Sequence, residues 1–180
     1  VARYFREEPL RSCVRSICFD KSGNIYIGTL RQGVFRRDGN TFTHIDGTAN
    51  KPVPVIYCRS NGQVVIGYDG AGLAIYDPAT GRIVENPSYR RMLDLAQGKV
   101  LSITEDHSGN LWLGLLQKGI YMQPASQGGF SYMGYRLGKN NIIGQACVTS
   151  TMVDSRGNVW VGTDKDGLYQ LSPSLTLVRH

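Results

Sequence analysis

Two kinds of residue in this chain could do chemistry. The first kind is aromatic side chains set beside guanidinium, ammonium and amide donors. Tyr89, Arg90 and Arg91 fall together in ENPSYRRMLDLAQG, and Tyr132 and Tyr135 precede Lys139, Asn140 and Asn141. A flat apolar face with planar donors beside it is what a sugar or a uronate needs, although ordinary polar loop filling is the commoner role for any one such residue. The second kind is titratable. His44, His107 and His180 share no repeated position, and no GxSxG, HExxH or phosphate-binding loop occurs. Asp20, Asp106 and Asp154 do recur, each heading a turn of the form D-x-S/R-G-N, but that pattern lacks the ligand density of a calcium loop. Paired acids for glycoside chemistry do not stand out. No catalytic residue, metal site or cofactor is therefore nominated. The cysteines Cys13, Cys18, Cys58 and Cys147 show neither CxxC nor His-paired spacing. Small buried hydrophobes describe them best; zinc is disfavoured, and disulfides stay open.

The elements that must position these residues are set by glycine. A frame of Gly, four residues, Gly, four residues, Gly occurs at 23/28/33, 62/67/72, 109/114/119 and 157/162/167, at periods of 39, 47 and 48 residues. Such periods indicate a repeat architecture. Within one unit, VRSICFD reads as a strand, KSGN as a turn, IYIGT as a second strand, VFRRD as a third and TFTHI as a fourth after Asp38-Gly39-Asn40. Four short antiparallel strands make a meander. No segment carries a capped helical period.

The second strands, IYIG, VVIG, LWLG and VWVG, are apolar on both faces. A one-sided sheet would alternate with polar residues, so each sheet must lie between neighbours. Meanders stacked face to face about an axis form a β-propeller. The fold class expected is all-β: a propeller of four-stranded antiparallel blades near 14–46, 53–87, 100–135 and 148–180, with 1–6 as an outer strand of a preceding blade. That surplus strand makes the chain an arc of a larger propeller. Tyr26, Trp112 and Trp160 share one place in the repeat, where an inter-blade core role outweighs a sugar platform.

Strand order then fixes the faces. The loops between second and third strands share a face with the blade connectors. That face gathers Arg31 and Gln32, Tyr68 and Asp69, Gln117 and Lys118, and Asp164, Lys165 and Asp166. Loops carry function on rigid scaffolds. With Tyr89, Arg90, Arg91, Lys139 and Asn140 from the long connectors, these are the candidate ligand contacts.

The bulk numbers agree with a folded, non-membrane segment. The chain has 180 residues, 41% hydrophobic and 19% charged, with a net charge of +6. Its basic residues are scattered rather than striped, so a solvated basic surface is favoured over a nucleic-acid face, and attraction for an anionic ligand such as an acidic glycan is the sharper alternative. No apolar run approaches the ~18 residues of a membrane span. The start, VARYFREEPL, has neither an apolar leader core nor an initiator Met, and reads as excised from something longer. An open arc would expose apolar blade faces at both ends, which predicts either self-association or truncation from a larger protein.

The units VRSICFDKSGNIYIGT, VLSITEDHSGNLWLG and VTSTMVDSRGNVWVGT resemble the two-component regulator propeller repeat. The second unit departs from it, with Arg59 for the Asp, Gln63 for the Asn and Val65 for the aromatic. The resemblance implies seven-bladed propellers in the periplasmic sensor of Bacteroides-type hybrid two-component systems, ahead of a membrane helix, histidine kinase, receiver and DNA-binding domain. It further implies an oligosaccharide ligand, further blades of the same chain as partners, a homodimer, phosphorelay to transcription, and no enzyme activity or DNA contact in this segment. A protein-interaction scaffold and a propeller lyase or hydrolase are the alternatives.

Overall fold

The computed structural model describes residues 10, 12–84, 97–126, 131–135 and 141–180. These form sixteen strands in four antiparallel sheets. The first sheet holds β1 (Val14–Phe19), β2 (Ile25–Thr29), β3 (Val34–Asp38) and β4 (Thr41–His44). The second holds β5 (Val55–Cys58), β6 (Val64–Gly67), β7 (Leu73–Asp77) and β8 (Arg82–Val84). The third holds β9 (Val100–Glu105), β10 (Leu111–Leu115), β11 (Gly119–Gln123) and β12 (Ser131–Met133). The fourth holds β13 (Val148–Val153), β14 (Val159–Thr163), β15 (Leu168–Leu171) and β16 (Leu177–Arg179). In every sheet the spatial order is the chain order. The expected all-β, four-bladed reading holds. The second blade's first strand starts at Val55 rather than Val53, since Pro52 and Pro54 bring no N–H to a ladder. Residues 1–6, expected as an outer strand, lie outside the described residues.

First strands of successive blades touch one another, β1 with β5, β5 with β9 and β9 with β13, so they form the inner edge of the arc. Three apolar clusters fill the three interfaces. Tyr26, Val53, Ile56, Val64 and Ile66 lie between blades one and two. Val65, Val100, Ile103, Leu111, Leu113 and Leu115 lie between two and three. Trp112, Ile120, Val148, Val159 and Val161 lie between three and four. Alternate residues of one second strand therefore serve opposite interfaces: Val64 and Ile66 face back, Val65 forward. That is why these strands are apolar on both sides.

The frame glycines have distinct tasks. The first closes the turn after the inner strand, as Gly109 does at a φ of 80° that only glycine adopts freely. The middle one allows close approach of the next blade. A Cβ on Gly67 would lie 2.9 Å from the Val100 Cβ, and one on Gly28 2.8 Å from the Val53 Cγ1, while Gly114 meets Val148 in the same way.

The recurring aspartates organise the turns. Asp154 Oδ1 accepts the N–H groups of Arg156 and Asn158, at 2.9 Å each, and Oδ2 accepts the Asn158 amide and the Trp160 indole N–H, also at 2.9 Å. Asp106 repeats this with Ser108, Asn110 and Trp112, and Asp20 with Ser22, Asn24 and the Tyr26 hydroxyl. Tyr26 and Trp112 thus serve the core, as expected, whereas Trp160 is half-buried, and all three tie a second strand to its turn. The Trp160 and Asn158 donors hold the Asp154 carboxyl well below the usual range. At Asp20 burial pushes upward, but the Asn24, Ser22 and Tyr26 donors outweigh it and the net shift is downward. A depressed folded value means stability that is complete above the unfolded Asp value of ~3.9 and is lost as pH falls through the folded value. Acid titration followed by tryptophan fluorescence should therefore show loss of structure beginning below about pH 4, with a shallower decline in Asp154→Asn.

Candidate functional site

The second blade has lost its turn aspartate, and the site begins there. Arg59 occupies the aspartate's place and reaches forward to the third blade. Its Nε and Nη2 lie 3.3 and 3.1 Å from Glu105 Oε1, and Nη2 also donates to the Gly109 carbonyl at 3.1 Å. The Ser60 N–H donates to the other Glu105 oxygen at 2.7 Å. Behind this pair, Cys18 of β1 and Cys58 of β5 form a disulfide with Cα atoms 6.0 Å apart. This corrects the expectation that the cysteines are buried small hydrophobes. Cys13 is also exposed, and Cys147 is half-buried.

Disulfide and ion pair flank a cavity of about 330 Å³ on the turn face of the arc. The first blade contributes Phe19, Asp20 and Lys21, the second Tyr57, Cys58, Arg59 and Ser60, and the third Glu105, Asp106 and His107. Its volume falls at the lower end of the ~300–1,000 Å³ of small-molecule sites. Phe19 is 64% exposed. Asp20 and Asp106 are consumed by their turns, and Glu105 by Arg59 and Ser60. Lys21, the Tyr57 ring and the Ser60 side chain remain to meet a ligand, with His107 Nε2 held 3.1 Å from the Asp154 carbonyl. Aromatic faces beside hydroxyl and ammonium groups suit the apolar face and hydroxyls of a pyranose.

The residues nominated from the loops between second and third strands lie at the opposite end of the strands. Each loop between second and third strands is stitched to the start of its own blade's inner strand. Leu30 donates to the Cys13 carbonyl, Asp69 to Pro52, Leu116 to Lys99 and Asp164 to Cys147. The loops do share the connector face. Arg31, Gln117 and Lys165 are exposed on it. Gln32 is tied down, its Oε1 accepting the Ser12 N–H at 2.8 Å. Asp69 pairs with Lys99 at 2.7 Å, and Asp164 Oδ1 accepts the Cys147 N–H at 3.0 Å. Lys118 is half-buried. Tyr68 is only 3% exposed and belongs to the core between blades one and two, where burial pushes its hydroxyl up to about 12. Tyr89, Arg90, Arg91, Lys139 and Asn140 lie outside the described residues. None of the nominated residues that are described lines the cavity. Its lining comes from three turns roughly forty-five residues apart, so no local pattern marks it; only the departure at Arg59 hints at it.

The two component regulator propeller family profile matches residues 10–31, 94–116 and 142–165. These stretches cover turn and second strand of blades one, three and four, whereas the blade with Arg59 is not matched. No curated protein sequence matches the chain. Three solved structures illustrate the fold. The extracellular domain of a hybrid two component system from B. thetaiotaomicron is 22% identical, with a TM-score of 0.74 over 97% of this chain and 22% of that one. PorZ, a surface component of the type-IX secretion system of Porphyromonas gingivalis, is 20% identical, with a TM-score of 0.78 over 100% of this chain and 29% of that one. Virginiamycin B lyase from Staphylococcus aureus is 15% identical, with a TM-score of 0.69 over 93% and 55%. The chain thus spans under a third of the first two, and likeness at these identities concerns the fold. Among the described residues no helix is long and apolar enough to cross a membrane. Fold and repeat agree: the chain is a β-propeller segment, and three of its blades carry stretches similar to the two component regulator propeller model.

Proposed function

We propose that this segment belongs to the periplasmic sensor of a hybrid two-component system, where it binds a saccharide in the cavity walled by blades one, two and three. The observation that carries the reading is the cavity itself, which sets exposed Phe19 and half-buried Tyr57 beside Lys21 and Ser60 on a scaffold of sensor-type repeats. The formal charges of its lining, Lys21 and Arg59 against Asp20, Glu105 and Asp106, favour a neutral sugar over the acidic one suggested by net charge. A ligand there touches three blades at once. It biases a downstream kinase, and through phosphorelay transcription, only if it binds two arrangements of the sensor with different affinity.

Calorimetry of the chain against a panel of neutral and acidic oligosaccharides tests this. The expected result is one saccharide whose binding is lost in Lys21→Ala and weakened in Tyr57→Phe, with unchanged thermal unfolding. Loss in Arg31→Ala or Lys165→Ala instead would move the seat to the connector face. Silence against every glycan would overturn the reading.

A further inference from the structure

The turn after each inner strand keeps its glycine and lets the residue behind its head vary, and the cavity is where those variants meet. That position holds Lys21 in blade one, Ser60 in blade two, His107 in blade three and Ser155 in blade four. All four are exposed, and the first three line the cavity. They differ in what they offer a sugar hydroxyl. The Lys21 ammonium only donates, and the Ser60 hydroxyl donates or accepts as its hydrogen turns. The carboxylates around them are already spent. Each oxygen of Asp106 accepts two hydrogen bonds within its own turn, and Glu105 accepts from Arg59 and from the Ser60 N–H.

What His107 offers is decided by blade four. Its Nε2 lies 3.1 Å from the Asp154 carbonyl, which the Gly157 N–H also holds at 3.0 Å. A carbonyl oxygen only accepts, so Nε2 carries the hydrogen. The other nitrogen of a neutral imidazole is then bare. Nδ1 thus keeps a lone pair, and it has no partner among the described residues. The tether crosses a blade boundary, from the third turn to the fourth, so it fixes the ring with groups that do not themselves line the cavity.

We propose that His107 is a specificity-determining residue of the saccharide cavity: Nδ1 accepts a hydrogen bond from a sugar hydroxyl, and the fourth blade holds the ring in the tautomer that allows it. This rests on the saccharide reading and gives the cavity a direction. The blade-one end, at Lys21, takes an oxygen that accepts. The blade-three end, at His107, takes a hydroxyl that donates. A carboxylate at the blade-three end would set its lone pairs against that of Nδ1, so a uronate is rejected there and a neutral sugar unit is read.

Calorimetry of the 180-residue chain against neutral oligosaccharides of glucose, mannose, xylose and galactose tests this, with His107→Gln as the variant. The glutamine amide reaches the place of Nε2 and can donate to the Asp154 carbonyl, but it has no atom equivalent to Nδ1. The variant should unfold at the wild-type temperature and bind about tenfold more weakly, the loss of one hydrogen bond. Nitrogen NMR of the imidazole gives a readout that a structural role would not move. The His107 signals, assigned by their absence from the variant, should show hydrogen on Nε2 in the free chain. On addition of the saccharide found by calorimetry, the Nδ1 resonance should shift upfield. If His107→Gln lowers the unfolding temperature, that wild-type shift decides. Equal affinity in wild type and variant, hydrogen on Nδ1 in the free chain, or an Nδ1 resonance unmoved at saturation would each overturn the assignment and leave the saccharide reading standing. Silence of the wild type against every saccharide would remove both.

Discussion

Arg59→Ala is expected to destabilise the folded chain by about 3–5 kcal/mol, the cost of stranding a buried charge. The Glu105 side chain is 5% exposed and that of Arg59 14%, so the pair has little water to fall back on. Once the guanidinium is gone, the Glu105 carboxylate keeps the Ser60 N–H and loses its only cation among the described residues. The Gly109 carbonyl loses a donor as well. Urea unfolding reads the loss. The cycle with Glu105→Gln separates pair from packing: the double variant should recover more than half of it, because a neutral amide no longer needs the cation. A single-variant effect under about 1 kcal/mol would place the pair with exposed ion pairs, and the view that it replaces the missing aspartate turn would fall.

That replacement explains which parts of this molecule are legible in its sequence. Three turns are written locally. Asp, Gly, Asn and an aromatic stand within seven residues of one another, so the hydrogen bonds from Asn158 and Trp160 to Asp154 need nothing from elsewhere in the chain. Sheet order follows from the same short range, because each strand pairs with its successor in the chain. The second blade exchanges local bonds for a contact across 46 residues. Read by itself, Arg59 looks like decay of the repeat. The task of the middle glycines is hidden for a similar reason, since the valine each one receives belongs to the next unit. The cavity is hardest to foresee, because turns that are equivalent in three blades meet only after the blades stack. The same turns have their aspartates already spent, which is why attention to charged motifs points away from the site and toward the connector loops.

The disulfide carries the other large effect. Replacing Cys18 and Cys58 together by serine should cost roughly 3–4 kcal/mol, the loop-closure term for a bridge across 40 residues. For a chain of this length that is a fall in Tm of about 10 °C. Its position in the frame could have revealed it. Cys18 stands five residues before its turn glycine and Cys58 four, an offset of one. Successive strand residues point to opposite faces, so this offset turns Cys18 forward toward the second blade and Cys58 back toward the first. Two cysteines at the same frame position would both point one way and never meet. Dithiothreitol should bring the wild type to the Tm of the double variant and leave that variant unmoved. Native protein should show two reactive thiols, Cys13 and Cys147, rather than four. Four thiols, or a Tm indifferent to reductant, would remove the bridge from the argument. Its presence bears on function in two ways. Such bonds persist in oxidising compartments, which supports the periplasmic placement proposed above. Cys58 also lines the cavity and the bridge holds blades one and two together beside it, so reduction should weaken saccharide binding as well as stability, and by more than Lys165→Ala on the connector face.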